Sequence, residues 1–439
     1  MLTILNKSFW YILITITFLL TLSSPCQENQ DVKTGNVIFI HPDGTALAGW
    51  NAIRVLYYGP DGELNWDRLS NIGLYQGHTK NTLTSSSEGG ATIHAYGVKA
   101  LMQSYGMDGT EPIISRSRSK LSIMMEAKSK GINIGIINSG KIVEPGTGVF
   151  LASDVSRANE DEISKKIIES GADLIFSGGE ENLLPAGING RFGQGKRKDG
   201  LNVIDLAKQL GYKVIYTREE LSTIANDTEK VLGVFALSHT FNDKSEEELI
   251  QLGLKNYQPD APTLAEMTEA AIKFLSGKTG NFFLVVEEEG TDNFGNANNA
   301  NGYFEALKRA DDAIGVALNF YSKNPNTLII TAADSEAGGM EIYGFLEKDM
   351  MPDQPLPEKA KNGAPLDGVN GTATNPFLTS KDKYGNQFQF AVAWSTNDDV
   401  FGSVVAKAEG LNSELMKGKI DNTEIYRIMY ATLFGIILE

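Results

Sequence analysis

The chain has 439 residues, of which 41% are hydrophobic and 21% charged, so it can bury a large core. Its formal net charge of −16 argues against nucleic acids and anionic membranes as partners, and any anionic substrate would need local positive charge such as bound metal ions. Because Cys26 is the only cysteine, the folded domain contains no intramolecular disulfide and no cysteine-ligated metal.

Residues 1–26 predict a signal peptide. Lys7 precedes an apolar run over residues 9–22, which is shorter than the roughly 20 residues of a permanent membrane anchor. A lipoprotein signal ending at Cys26 is a weaker alternative because Pro25 comes directly before the cysteine. We therefore expect a protein exported to the periplasm, the medium or the outer surface, with no stable membrane span in its mature form.

Short apolar, β-branched runs that end in polar or glycine-rich turns predict buried strands. These runs are 36–40, 132–137, 172–176, 231–236, 282–286 and 327–330. Between them, apolar residues recur at helical spacing, most clearly over residues 263–275 and 303–321. The alternation predicts an α/β fold with a central, mostly parallel sheet that is covered by helices on both faces.

The last quarter of the sequence has a different composition. Residues 352–397 are rich in Gly, Pro, Asn, Asp and Lys, which predicts a surface insertion, a lid or crown, ahead of the last core elements. Residues 422–438 predict an apolar terminal helix. We expect a single domain with insertions over residues 34–439, although the length of the chain suits two domains equally well.

Acidic residues follow four of the apolar runs, if residues 390–394 are counted as a further strand. They are Asp43, Glu287, Glu288, Glu289, Asp292, Asp334, Glu336, Asp398 and Asp399. A helix cap or a solvated turn would explain any one of them alone. In a parallel sheet, however, the strand ends meet in one crevice, where neighbouring carboxylates repel one another unless cations neutralise them. The pattern predicts a metal site with oxygen ligands.

Residues 84–92 form a serine-rich loop that leads into a predicted helix. A hydroxyl at a helix start lies where free backbone N–H groups can hold phosphate oxygens, although a simple helix cap would also explain these residues.

Several motifs resemble those of the alkaline phosphatase family. Ser86-Ser87, followed by small residues and Ala91-Thr92, resembles the nucleophile motif, and Asp43-Gly44 resembles the first metal-binding Asp-Gly. Residues 334–339 resemble the family's Asp-His-Glu-Thr-Gly-Gly, and the resemblance runs in order from about residue 36 to residue 410. It implies a three-layer sandwich built on the predicted sheet, with the insertion on its surface.

The resemblance also implies a set of site residues. Ser87 matches the nucleophile and Arg157 the arginine that clamps the substrate phosphate, with Ser86 and His41 expected beside the phosphate. The metal ligands implied are Asp43, Glu144, Glu287, Asp292, Asn296, Asp334, Ser335 and Asp399. For His41, which lies two residues before Asp43, a supporting role in the core is the alternative.

The sequence departs from the family at its three zinc-binding histidines. Asn296, Ser335 and Asp399 occupy those positions. Zinc favours nitrogen and sulfur ligands, whereas oxygen ligands suit Mg²⁺, Ca²⁺ and Mn²⁺. We therefore expect divalent cations of the second kind, Mg²⁺ and Ca²⁺ or Mn²⁺, rather than two Zn²⁺.

The function implied is hydrolysis of a small phosphate monoester through a phosphoserine on Ser87. Phosphodiester hydrolysis on the same scaffold is one alternative, although diesterases usually lack a clamp like Arg157. The other is a non-catalytic, metal-stabilised binding protein of the cell envelope. A homodimer would be usual for the family, but no segment of the sequence demonstrates an interface.

Overall fold

The computed structural model describes residues 32–225, 228–345 and 354–439, so the predicted signal peptide and Cys26 lie outside the described residues. Residues Lys33–Glu439 form one compact unit. Within the described part of the chain, no helix combines the length and the apolar character that crossing a membrane requires.

Nineteen strands and twelve α-helices are found in the described residues. The strands are β1 (Asn36–Pro42), β2 (Asn71–Gln76), β3 (Met107–Asp108), β4 (Glu111–Pro112), β5 (Asn133–Lys141), β6 (Leu174–Gly178), β7 (Tyr212–Ile215), β8 (Lys230–Val234), β9 (Phe282–Glu288), β10 (Thr327–Thr331), β11 (Glu336–Ala337), β12 (Met340–Gly344), β13 (Leu366–Gly368), β14 (Gly371–Thr372), β15 (Phe377–Leu378), β16 (Gln389–Trp394), β17 (Asp399–Val400), β18 (Val405–Gly410) and β19 (Gly418–Asp421). The helices are α1 (Leu47–Tyr57), α2 (Ser87–Tyr96), α3 (Ile123–Ser129), α4 (Pro145–Gly148), α5 (Glu160–Glu169), α6 (Val203–Gln209), α7 (Arg218–Ser222), α8 (Glu246–Leu252), α9 (Leu264–Ser276), α10 (Gly290–Asn296), α11 (Ala300–Tyr321) and α12 (Thr423–Phe434).

The core of the molecule is a ten-stranded sheet with the order β19-β2-β18-β10-β1-β9-β5-β6-β8-β7. Only β18 runs antiparallel to its neighbours in this sheet. The six runs predicted from the sequence are the strands β1, β5, β6, β8, β9 and β10, and every residue of β1 and β9 is buried. Such continuous burial is expected of a parallel strand that has helices on both faces.

The register of the central strands aligns their carboxyl ends. Ile40 of β1 lies opposite Thr331 of β10 and Val286 of β9, and Ile137 of β5 lies opposite the same Val286. The loops after these strands therefore leave the sheet side by side, which is where open α/β sheets bind ligands.

The two long helices begin at side-chain caps that the sequence supplies. Before α9, Thr263 and Glu266 form a reciprocal capping box, and before α11 the side chain of Asn299 accepts a hydrogen bond from Gly302 N. At the other end of the chain, α12 stops at Gly435, which adopts a left-handed conformation with φ of 70°. The observed helix therefore ends four residues before the end of the helix predicted over residues 422–438.

Residues 366–394 of the predicted surface insertion contribute to a second, antiparallel sheet with the order β12-β16-β13-β14, in which β15 also pairs with β16. One face of this sheet is buried. Phe377 and Phe390 lie 5.1 and 6.2 Å from Phe304 of α11, measured between ring centroids, and Trp394 lies 6.4 Å from Tyr303. Alternation along β16 turns its apolar residues toward the main core, so this part of the insertion is structural.

We expect Phe377→Ala to lower the free energy of unfolding by about 3–5 kcal/mol, because it leaves a cavity beside Phe304. The matched control is Phe388→Ala in the same segment, where the side chain is 43% exposed and the change should be within about 0.5 kcal/mol. Guanidinium denaturation followed by tryptophan fluorescence measures both. Equal effects of the two substitutions would show that the insertion does not pack on the core.

Candidate active site

Three carboxylates meet at the carboxyl ends of the central strands. Asp43 follows β1, Glu287 lies near the end of β9 and Asp334 follows β10. All three are buried, with at most 2% of their surface exposed. Their burial away from water is the first indication that this edge of the sheet binds cations.

Successive side chains of β9 point to opposite faces of the sheet, so the acidic residues at its end point in different directions. Glu288 points away from the site, where its carboxylate accepts hydrogen bonds from Ser139 Oγ and Tyr257 Oη, both at 2.6 Å. Glu287 points into the site and is held by the side-chain amide of Asn138. Glu289 is also buried, and one oxygen from each of Glu287 and Glu289 lacks a hydrogen-bond partner among the described residues.

Asp43 lies at the centre of the group. Its Oδ1 accepts a hydrogen bond from Gly44 N at 2.9 Å and lies 3.2 Å from His41 Nε2. Burial opposes ionisation of Asp43, but the adjacent imidazole of His41, with contributions from the side chains of Asp334 and Ser87, holds the pKa of Asp43 below its ordinary value. The ionised form of Asp43 is therefore favoured, close to the predicted nucleophile.

Asp292, Asn296 and Asp399 form a second group beside it. The Asn296 side-chain nitrogen donates to Asp292 Oδ1 at 3.2 Å and to Asp399 Oδ1 at 3.0 Å, while its oxygen accepts a hydrogen bond from Gly338 N. Asn296 was predicted to offer a neutral oxygen to a metal. In the structure its oxygen is bound to the backbone and its nitrogen bridges the two carboxylates.

Ser87 is the first residue of α2, and Ser86 is the N-cap. The Ser86 hydroxyl accepts a hydrogen bond from Gly89 N and donates one to Met102 O at 2.5 Å, so it is engaged by the backbone. Ser87 is not the capping residue. It lies at the positive end of the helix, with 8% of its surface exposed. This arrangement suits a nucleophile that must approach an anionic group.

Arg157 is held toward the start of α2 by two carboxylates. Its Nη1 donates to Glu88 Oε2 at 2.8 Å and its Nη2 donates to Glu144 Oε2 at 3.1 Å. The arginine side chain remains 46% exposed, whereas both glutamates are buried. Its guanidinium is thus positioned and still accessible to a ligand.

Ser87 and Arg157 line a single open cavity of about 470 Å³. Its other lining residues are Lys141, Glu144, His239, Asp243, Glu289, Asp292, Asn293, Asn296 and Ala297. His41 was predicted to bind the phosphate, but it is fully buried beneath this cavity and does not line it. Ser335 is also buried, and its hydroxyl donates to Asp334 Oδ1 at 3.4 Å.

Glu88, Lys141 and His239 were not assigned a role from the sequence. Glu88 holds Arg157, and Lys141 and His239 line the cavity. Glu289 was placed in the acidic group after β9 but not among the implied ligands, and the structure buries it with Glu287. Lys141 and His239 carry no motif of their own, because only the folded chain brings them to the cavity.

The carboxyl groups of the site repel one another electrostatically. Burial, reinforced by the charge of Asp43, raises the pKa of Glu287 to about 8. Burial also raises the pKa of Asp334 and of Asp292, with further increases from the charges of Asp43 and Asp399, respectively. A bound divalent cation would replace these repulsions with attraction and lower the same pKa values.

The donor atoms fit such cations. Asp43 Oδ2, Glu287 Oε1, Glu289 Oε2 and Asp334 Oδ2 are buried oxygens without a hydrogen-bond partner in the described part of the chain. Gly146 keeps space beside them, since a Cβ on that residue would lie 1.8 Å from Glu287 Oε1. The residues present therefore match divalent metal ions that bind carboxylate oxygen.

Comparison with known proteins gives consistent results. The family model described as alkaline phosphatase matches residues 34–434. Among relatives, alkaline phosphatase 4 of Bacillus subtilis (strain 168) is 26% identical over 448 residues, covering 94% of this chain and 91% of the relative. The alkaline phosphatase of Escherichia coli (strain K12) is 24% identical over 344 residues, covering 70% of each protein.

Solved structures of similar fold include the alkaline phosphatase of the Antarctic bacterium TAB5, with a TM-score of 0.70 at 24% identity over 91% of this chain and 99% of that one. The structure of a mutant of that enzyme, with histidine replaced by aspartate and magnesium bound in the M3 site, is also similar. Its TM-score is 0.68 at 23% identity, over 92% of this chain and 99% of that one. With a family model that spans nearly all of the described residues, the chain belongs to the alkaline phosphatase family of metal-dependent phosphomonoesterases.

Proposed function

We propose that this protein hydrolyses small phosphate monoesters through a phosphoserine intermediate on Ser87. The observation that carries the proposal is the arrangement of Ser87 at the start of α2, with Arg157 in the same cavity and the Asp43 carboxylate nearby. The three groups provide a nucleophile, a phosphate clamp and a carboxylate near the serine hydroxyl.

The two displacements follow from this arrangement. Ser87 Oγ attacks phosphorus and loses its proton, while the bond from phosphorus to the leaving alkoxide breaks and the alkoxide takes up a proton. Water then attacks the phosphoserine, the bond between phosphorus and Ser87 Oγ breaks, and inorganic phosphate leaves. Arg157, already held by Glu88 and Glu144, donates two N–H groups to non-bridging oxygens, and the N-terminus of α2 adds its own N–H groups.

We propose Mg²⁺ and Ca²⁺, or Mn²⁺, as the principal cations rather than two Zn²⁺. Bound divalent ions would stabilise the serine alkoxide and the leaving oxygen. Support comes from the donor set, in which Asp43, Glu144, Glu287, Asp292, Asp334 and Asp399 supply carboxylate oxygen and Ser335 a hydroxyl. It also comes from the similarly folded TAB5 mutant, in which aspartate replaces a histidine and magnesium is bound in the M3 site.

We also propose that the protein acts outside the cytoplasm after export. The support is the sequence of residues 1–26, with its basic start and short apolar run. Because the protein is acidic, it would repel a small anionic ester unless cations bound in the site offset the negative charge of the protein.

Ser87→Ala should lower kcat by at least about a thousandfold and abolish transfer of labelled phosphate from substrate to protein, because no hydroxyl remains to form the ester. Acid quenching during turnover of a labelled phosphate monoester traps the intermediate. Ser86→Ala keeps the nucleophile and should still accept label. Labelling of Ser87→Ala to the level of the unchanged protein would refute the phosphoserine proposal.

The metal-stripped protein should regain p-nitrophenyl phosphate hydrolysis with Mg²⁺, Ca²⁺ or Mn²⁺ and recover less with Zn²⁺, because carboxylate oxygen dominates the donor set. Each metal is added separately, and the bound metal is counted by elemental analysis. Full recovery with Zn²⁺ alone would contradict the proposed preference.

Arg157→Lys should reduce kcat/KM by about tenfold or more and weaken inhibition by inorganic phosphate, because lysine keeps the charge but loses the bidentate fork. The matched control is Arg116→Lys. Arg116 pairs with Glu424 at 2.8 Å and does not line the cavity, so kcat/KM should be unchanged. Unchanged phosphate inhibition in Arg157→Lys would argue against the clamp.

A further inference from the structure

His41 forms a buried group with Asp43 and Glu287, and one donor atom from each lies within 4.8 Å of the other two. We propose that His41 Nε2 is a metal ligand, binding a divalent first-row transition ion such as Mn²⁺ together with these two carboxylates. The inference rests on the proposed metal-dependent function and adds to it a nitrogen donor, whereas the ligands predicted from the sequence offer oxygen. It replaces the predicted contact between His41 and the substrate.

The spacing of the donor atoms fits one ion. His41 Nε2 and Asp43 Oδ1 are 3.2 Å apart. Adjacent ligands of an octahedral ion at about 2.1 Å are separated by about 3.0 Å. The pair therefore lies at the separation of two neighbouring ligands, and the 4.8 Å limit for the whole group leaves Glu287 within reach of the same ion.

The other ring nitrogen of His41 fixes which atom is available. His41 Nδ1 lies 2.7 Å from the Ala332 carbonyl oxygen, which can only accept, so Nδ1 carries the hydrogen. In the neutral ring this leaves the lone pair on Nε2. Donation of the second ring N–H to a backbone carbonyl is the arrangement that orients most metal-binding histidines.

The carboxylates are oriented in a matching way. Asn138 donates to one oxygen of Glu287, while Glu287 Oε1 and Asp43 Oδ2 have no hydrogen-bond partner among the described residues. His41 Nε2 is likewise without an aligned hydrogen bond there, although it is close to Asp43. Each of the three residues thus has a buried donor atom without an aligned hydrogen bond.

The competing explanation is a protonated His41 that offsets the negative charge of Asp43 without binding metal. The two explanations differ in whether a nitrogen–metal bond forms. Activity cannot separate them, because both place a positive charge beside Asp43. A spectroscopic measurement on the metal can.

The test is pulsed EPR of the Mn²⁺-loaded protein. We expect hyperfine coupling from a coordinated imidazole nitrogen, which His41→Gln should abolish while weakening Mn²⁺ binding by about tenfold or more. The matched control is His239→Gln, because His239 lines the open cavity and is another source of an imidazole. That variant should keep the coupling. His41→Asp should retain Mn²⁺ through oxygen and show no coupling.

Absence of imidazole coupling in the unchanged protein would overturn the inference, as would coupling that survives in His41→Gln. If His41→Gln does not fold, His41→Asp gives the same decision, because surviving coupling in that variant would come from another histidine. Hydrolysis of p-nitrophenyl phosphate is measured on the same Mn²⁺-loaded sample. Coupling without hydrolysis would contradict the proposed function but not the assignment of His41 as a ligand. Hydrolysis without coupling would contradict the assignment of His41 but not the proposed function.

Discussion

The burial of several carboxylates at one edge of a parallel sheet is the constraint on which the site depends. Asp43, Glu287 and Asp334 are removed from water and face one another. Burial and neighbouring negative charge raise the pKa of Glu287 and of Asp334, whereas His41 holds the pKa of Asp43 below its ordinary value. The cationic side chains of Arg157 and Lys141 are engaged with Glu144 near the cavity mouth. Bound cations would therefore supply the positive charge that keeps Glu287 and Asp334 ionised.

The fold makes this concentration of charge possible. Parallel strands with buried faces need long apolar runs, and the same runs bring their polar ends to a common edge. Close approach then depends on small residues. Gly44 has φ of 59°, and a Cβ there would lie 2.7 Å from Asp292 Oδ1, while a Cβ on Gly90 of α2 would lie 2.3 Å from Asp334 Cβ. Side chains at these positions would separate the groups that the chemistry requires to be near one another.

The central sheet was predictable because buried parallel strands appear in a sequence as continuous apolar, β-branched runs. The carboxylates after β1, β9 and β10 were predictable for the same reason, since their strands located them. The buried inner face of the insertion was missed because polar and glycine-rich turns separate its short strands, so Phe377 and Phe390 do not form a long periodic pattern. Amino-acid composition therefore predicts which residues of such a segment are exposed better than it predicts which are buried.

Side-chain roles that depend on a partner from another element could not be obtained from the sequence. The hydrogen bond that Arg157 donates to Glu88 joins residues 69 positions apart, and the Ala332 carbonyl that orients His41 is 291 positions away. Asn296 is the clearest case. Its residue type allows either the oxygen or the nitrogen of the amide to face the site, and the oxygen instead accepts a hydrogen bond from Gly338 N.

The side chains of Asn296 and Ser335 supply hydrogen bonds within the acidic site. Asp399 lies next to Asp292, and the Asn296 amide lies between the two and donates to both carboxylates. These hydrogen bonds lessen the repulsion between the two negative charges, which explains how the two carboxylates lie close together in this protein. Ser335 donates its hydroxyl to Asp334 in the same way, so hydrogen-bond donors accompany the negative charge of the site.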